Sequence, residues 1–341
     1  MIKIKSFFSR TIIDGLSYMA LGLFSTLIVG LIIETLGRTL NTYFDTSIMI
    51  EIGKLAQNLT GAGVGVAVSY GLGASPLIIF ATVVTGMYGY EQGGAVGSYL
   101  SSVFASELGK VYSGKTKIDI ILSPILTLLV GVCIAKFIAP FIDAFMKHLG
   151  NWIQISTEQQ PLLMGIFVSC LVGMTLSSPI SSAALSLMLG LSGTAAAAAT
   201  IGGCCHMVGF AVTGYRDNGI SGIIAHGIGT SKLQISNYLK HPFILIPPVV
   251  ASIVVAPIMT VFWPMENNAA GAGMGSSGFV GQIMTIQTMG ASTEVWLQIL
   301  FFHFLLPAVV SLFVYHILKR YHMIKGGQQT IMIGSVKKWN N

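Results

Sequence analysis

Charge is what this chain has least of. Of its 341 residues, 18 are Lys or Arg and 12 are Asp or Glu, so 9% are charged, where a soluble domain carries about 25%. So few charges cannot solvate a globule of this length, which excludes an ordinary soluble enzyme, a disordered chain and a nucleic-acid binder. Cysteine is scarce too. Cys133, Cys170, Cys204 and Cys205 lie in apolar stretches without C-x-x-C spacing, so small buried thiols are expected rather than a redox or metal framework. P-loop, G-x-S-x-G and H-E-x-x-H strings are missing, which leaves no self-contained catalytic site and no cofactor to expect.

What the chain has in excess is apolar surface and glycine. Apolar residues make up 53% and mean hydropathy is +0.77, the composition of a polytopic membrane protein. Its 40 glycines far exceed the usual proportion of about 7% and point to closely packed, broken helices. The expected fold class is therefore an all-α polytopic membrane protein with re-entrant or broken helices. The apolar run after Lys3, Lys5 and Arg10 is too long for a signal peptide and lacks an A-x-A site, so it is read as a retained first span.

The cations sit at the ends of apolar segments, as the positive-inside rule requires, and they give a topology. The N-terminus is placed inside and a first span covers 11–36. Residues 37–58, with Arg38, Asp45, Glu51 and Lys54, are amphipathic and expected along the outer surface. Lys110, Lys115 and Lys117 mark one inner loop, Lys232 and Lys240 another, and Lys319, Arg320 and Lys325 bring the C-terminal end inside. Residues 119–147, 241–263 and 294–318 then each cross once. Stretches 59–109 and 161–231 must hold odd numbers of crossings. At about 20 residues each, the longer holds three, and the shorter holds one plus broken elements or three short spans. The sum is roughly eight to ten spans. Cut near 150, the halves have odd parity and opposite orientation, the arithmetic of an inverted repeat. The division is 1–150, 151–325 and a cytoplasmic tail 326–341.

Helices should break at 58–97, 175–229 and 267–291, the last as an outer hairpin or re-entrant loop. Ionisable groups there, far from cationic loops, are candidate solute ligands because leaving them unpaired in lipid is costly. Glu91 and Gln92 in YGYEQGG (88–94), flanked by Tyr88 and Tyr90, suit a neutral polyol. Carboxylate oxygens accept from adjacent hydroxyls, and an aromatic face covers the apolar side of a sugar ring. An interfacial turn with Tyr anchors is the alternative. In the second half, His206 after GGCC, then Arg216, Asp217 and Asn218 in the turn signal TGYRDNG, and His226 form a polar run. Core packing and a surface salt bridge are the alternatives there. Asn58, Thr60, Gln282, Gln287 and Thr288 are weaker candidates. Glu294 and His303 are expected at helix ends or in packing, and the alanines at 195–199 let helices approach.

The Gly-rich half-helix at 88–94, the stretch GKTKIDIILSP (114–124) and residues 177–229 together resemble the membrane (IIC) subunits of the bacterial sugar phosphotransferase system. The resemblance covers residues 10–325 and is nearest to the divergent branch that includes the perfringolysin regulator proteins. It implies a homodimeric permease of the bacterial plasma membrane, with both termini cytoplasmic on the topology above. Such a permease binds a sugar between a scaffold and a mobile domain, and a separate IIB subunit phosphorylates it. In IIC families a glutamate in a re-entrant loop and a histidine help hold the sugar; Glu91 and His206 are of those types in similar settings. The G-I-T-E type string of the glucose group is absent, and no IIA or IIB domain is fused. The chain is then at most the membrane subunit of a sugar phosphotransferase. A membrane-embedded sensor or regulator with a permease fold, and an ion-coupled carrier of a non-sugar metabolite, stay open.

Overall fold

The computed structural model describes Thr11 and residues 14–41, 44–115 and 117–331. The basic N-terminal residues Lys3, Lys5 and Arg10, and the tail beyond 331, lie outside the described residues. Among the described residues every regular element is helical, and the one extended feature is an isolated bridge between Gly193 and Asn267. Five of these helices are long and apolar enough to cross a membrane, and Pro161–Ser177 is a shorter apolar one. The protein is an all-α polytopic membrane protein, as its composition implied.

The first half is built on close backbone contact. α1 (Gly15–Leu23) runs through a π-helical turn (Phe24–Ile28) into α2 (Val29–Leu40), and α3 (Ser47–Asn58) and α4 (Thr60–Gly71) return beside it. Gly30 meets Gly53 and Gly22 meets Gly63 with no room for a side chain between them. Residues 37–58, expected along the outer surface, therefore turn back so that α3 packs lengthwise on α2. Across that seam Gln57 donates to Glu34 at 2.6 Å, and Glu34 also pairs with Arg38 at 2.7 Å.

α5 (Pro76–Tyr112) is two antiparallel arms, because Gly93 and Gly94 leave the helical region, Gly94 with φ +57 and ψ −148. That conformation is open to glycine alone. The arms touch where Gly89 meets Gly97, and Ser101 Oγ donates to Thr85 O at 3.0 Å. α4 continues the return begun by α3, and the arms turn back on each other at Gly93 and Gly94, a break inside the region 58–97 where one was expected. α6 (Asp119–Thr157), 39 residues long, supports the hairpin by packing Gly131 on Thr85 and Ile142 on Gly93. Much of its remaining surface exposes apolar side chains, among them Ile120, Leu129, Phe137 and Ile155.

In the second half α7 (Pro161–Ser177) and α9 (Gly193–Thr213) run parallel, Ser169 beside Gly202 and Ser177 beside His206. Residues 178–192, with the short α8 (Ser182–Met188), carry the chain back between them. Ala196, Ala197, Ala198 and Ala199 are buried, the close helix contact expected of them. α12 (Ile246–Phe262) lies antiparallel to α7, where Ser169 Oγ donates to Ser252 O and Thr260 Oγ1 to Pro161 O. After α9 the chain turns at Gly219 (φ +61, ψ −155) inside α10 (Tyr215–Ile224) and climbs back along α9 to Gly229. It descends again through α11 (Ile235–Lys240).

Residues 267–289 dip inward through α13 (Ala269–Ala272), reach Gly203 at Gly275, and return as α14 (Val280–Met289). This is the re-entrant form expected there. α15 (Thr293–Gln298), a π-helical turn (Ile299–Leu305) and α16 (Leu306–Arg320) make the last long helix. Tyr18 stacks edge-on against Tyr70, beside the Leu72 carbonyl that holds Lys110, and Ser17 lines a crevice with Lys240. The loops bearing Lys110 and Lys240 therefore share one end of the molecule, the cationic end. Lys232 does not belong to that set, because it is buried.

Candidate functional site

Interruptions of helix from both halves meet at one junction: the α5 tip at 90–95, SSPISS at 177–182, the turn at 229–232 and the dip at 274–277. Non-helical backbone at membrane depth survives only with its polar groups satisfied or facing a wet cavity, and here side chains satisfy them. Ser276 and Ser277 donate to the carbonyls of Gly227 (2.6 Å) and Gly229 (2.8 Å), and Ser182 donates to Gly273 O (2.6 Å). Lys232 Nζ donates to Ser178 O (2.5 Å) and Ile180 O (2.7 Å). Ser177 Oγ bonds His206 Nδ1 (2.7 Å) and Ser231 Oγ (3.0 Å), while Tyr238 OH donates to Ser177 O (3.0 Å).

Two cavities lie at the junction. One of about 620 Å³ is lined by Glu91, Gln92, Phe141, Ile142, Phe145 and Met146, among others. The other, about 40 Å³, has Tyr90, Thr230, Lys232 and Ser277 in its wall. Ala95, Ile180 and Ser181 border both.

The structure brings some of the expected residues here and not others. Glu91 and Gln92 are exposed at the α5 tip and face the larger cavity; Tyr90 borders the smaller one, and Tyr88, half-buried on the same arm, borders neither. His206 is sealed from both cavities, fixed to Ser177 through Nδ1, and its Nε2 has no hydrogen-bond partner among the described residues. It positions the 177–182 segment. His226 is buried and braces the climb after Gly219, bonding Gly222 O at 2.8 Å and Gln234 at 3.0 Å.

Arg216 is exposed, whereas Asp217 and Asn218 grip the chain's own C-terminal segment. The Asp217 carboxylate accepts from the backbone N–H of Gly327 (2.9 Å) and Gln329 (3.0 Å). Asn218 accepts from Ile331 N–H and donates to Gln329 O, both at 2.8 Å. Asn58 is exposed at the end of α3, and Thr60 is buried, donating to Gln57 O at 2.5 Å. Gln282 pairs with His303 (3.0 Å) and Glu294 accepts from Trp263 (2.9 Å), while Gln287 and Thr288 are exposed. Among the described residues no cluster of His, Cys, Asp and Glu is arranged to hold a metal.

Residues 13–331 match the family described as Phosphotransferase system, EIIC. The chain belongs to the EIIC family. No curated protein and no solved structure matches it. As an EIIC chain it is a multi-pass membrane permease subunit of the phosphotransferase system. The residues of the EIIC junction that sequence reasoning missed are Lys232 and the serines of SSPISS. The interruption at SSPISS was visible in Pro179 and its neighbours, but the serines carried no charge to single them out. Lys232 looked like a loop cation, because sequence shows a charge without showing its burial.

Proposed function

We propose that this EIIC chain carries a sugar across the bacterial plasma membrane, holding it in the larger cavity against Glu91 and Gln92. The observation that carries this reading is the lining of that cavity. Its walls are largely apolar, with Phe141, Ile142 and Phe145, and Glu91 and Gln92 are the residues of its lining that bring a carboxylate and a carboxamide. Apolar walls suit ring faces, and Glu91 with Gln92 supplies paired acceptors and a donor for hydroxyls. About 620 Å³ also lies within the usual range of roughly 300–1,000 Å³ for such sites. His206 and Ser177 hold the wall rather than the sugar.

The two hairpins support alternating access. Gly-Tyr-x-x-x-Gly-x-x-Gly occurs at 89–97 and again at 214–222. Each copy turns on a glycine of nearly the same conformation, Gly94 (φ +57, ψ −148) and Gly219 (φ +61, ψ −155). The first hairpin begins at the cationic end and the second turns there. Such a pair fits an inverted repeat, divided as 1–150 and 151–325, that exposes one site to each side in turn. On this reading the cationic end and both termini are cytoplasmic, a separate IIB subunit takes the sugar there, and a second copy covers the apolar face of α6. Ion coupling through His206 has less support, since its Nδ1 is committed to Ser177.

The test is a thermal-shift and radiolabel panel of neutral and acidic sugars on the purified protein. One sugar class should bind, and Glu91→Gln should weaken it about tenfold or more. Unchanged binding in that variant sinks the site, and a panel that binds nothing sinks the sugar reading.

A further inference from the structure

We propose that the smaller cavity is a subsite for an anionic group, so that the solute is an acidic carbohydrate whose carboxylate or phosphate pairs with Lys232. This rests on the junction being the solute site and adds the substrate's charge to it. Lys232 is 6% exposed. Its ammonium has three N–H bonds to give, of which two go to the carbonyls of Ser178 and Ile180. Those acceptors are neutral, and among the described residues no carboxylate bonds the lysine. A cation buried without a counter-charge is unfavourable, and in a membrane protein such a residue marks a solute or ion path.

The cavities divide the work. About 40 Å³ at Lys232 accommodates a small group rather than a sugar ring, and the larger cavity beside it takes the ring. Ile180 and Ser181 stand in both walls, so an anionic arm on the ring reaches Lys232 past them. Glu91 is the carboxylate of the two linings and belongs to the larger one. It would repel an anion there and accept hydroxyls instead, so the charges fix which end of the solute enters first.

Binding is measured on the full chain in detergent with matched sets of hexose, hexuronate and hexose 6-phosphate. The expected result is that the anionic members bind about tenfold tighter than the neutral one. Lys232→Gln should abolish that preference and Lys232→Arg should keep it. Preference for hexuronate over hexose phosphate identifies an acidic-sugar substrate, and the reverse identifies the phosphorylated product. Neutral sugars binding as well as anionic ones, with Glu91→Gln still weakening them, overturns this inference and leaves the solute site standing. A preference that persists in Lys232→Gln overturns it too, and no binding by any member overturns both. If Lys232→Gln fails to fold, the wild-type preference and the Arg variant still decide.

Discussion

Replacing Gly94 with Ala isolates the turn that presents Glu91 and Gln92. The residue sits at φ +57 and ψ −148, and a Cβ built on it meets nothing within 4 Å. No clash is involved, so the whole cost is conformational. A side chain in that region costs about 1–3 kcal/mol, and the reduced freedom of the unfolded chain returns about 0.4–1 kcal/mol. The net loss should be about 1–2 kcal/mol, which in a chain this large lowers the melting temperature by only a few degrees. Melting followed by tryptophan fluorescence in detergent measures that shift, and sugar binding measures the second effect. Glu91 and Gln92 lie just before the turn, so binding should fall by more than the stability does. Gly73→Ala is the control. It too has positive φ (+72) and open space, but it lies between α4 and α5, at the cationic end. It should lower the melting temperature and spare binding. A Gly94→Ala protein that melts and binds as the wild type does would refute the two-armed account of α5.

Other perturbations test other parts of the fold. Asp217→Ala removes the acceptor for two backbone N–H groups at 327 and 329. Amide exchange across 325–331, read by mass spectrometry, should quicken while solute binding is retained. Ser177→Ala leaves His206 Nδ1 buried without its partner, a cost of about 1–3 kcal/mol that should appear as a lower melting temperature. Gly202→Val puts a side chain against the Ser169 backbone, so α7 and α9 must separate and folded yield should collapse. A cysteine placed at Lys115 in a cysteine-free chain should react with an impermeant maleimide only from the cytoplasmic side. Labelling from outside intact cells would invert the topology.

Much of the fold was legible because membrane burial leaves coarse marks. Runs of apolar residues, cations at their ends and clustered glycines located the helices, one end of the molecule and the regions of the breaks. The α5 tip was legible for the same reason, since YGYEQGG combines turn glycines with an acid that lipid would not tolerate unpaired. Partners distant in sequence were not legible. Asp217 and Asn218 looked like solute ligands, yet their hydrogen-bonding capacity is taken by backbone more than a hundred positions away. Residues 37–58 looked interfacial because their polarity is mixed. Their fate is decided by Gly30 and Gly53, whose contact no periodicity reveals. The resemblance of 89–97 to 214–222 was present in the string, but four matching positions stand out only once both segments are known to turn a hairpin.

The length of α6 ties the site to the lipid around it. At about 1.5 Å per residue, the exposed apolar residues from Ile120 to Phe145 extend for roughly 40 Å, against a hydrocarbon core of about 30 Å. Such a length is accommodated by tilting or by local thickening of the bilayer, within the tilt that its packing on the α5 hairpin allows. Ile142 on this helix packs on Gly93 and lines the larger cavity. Acyl-chain length should therefore reach the cavity mouth as a mechanical input, and affinity for the solute should vary between thin and thick vesicles of otherwise identical headgroup.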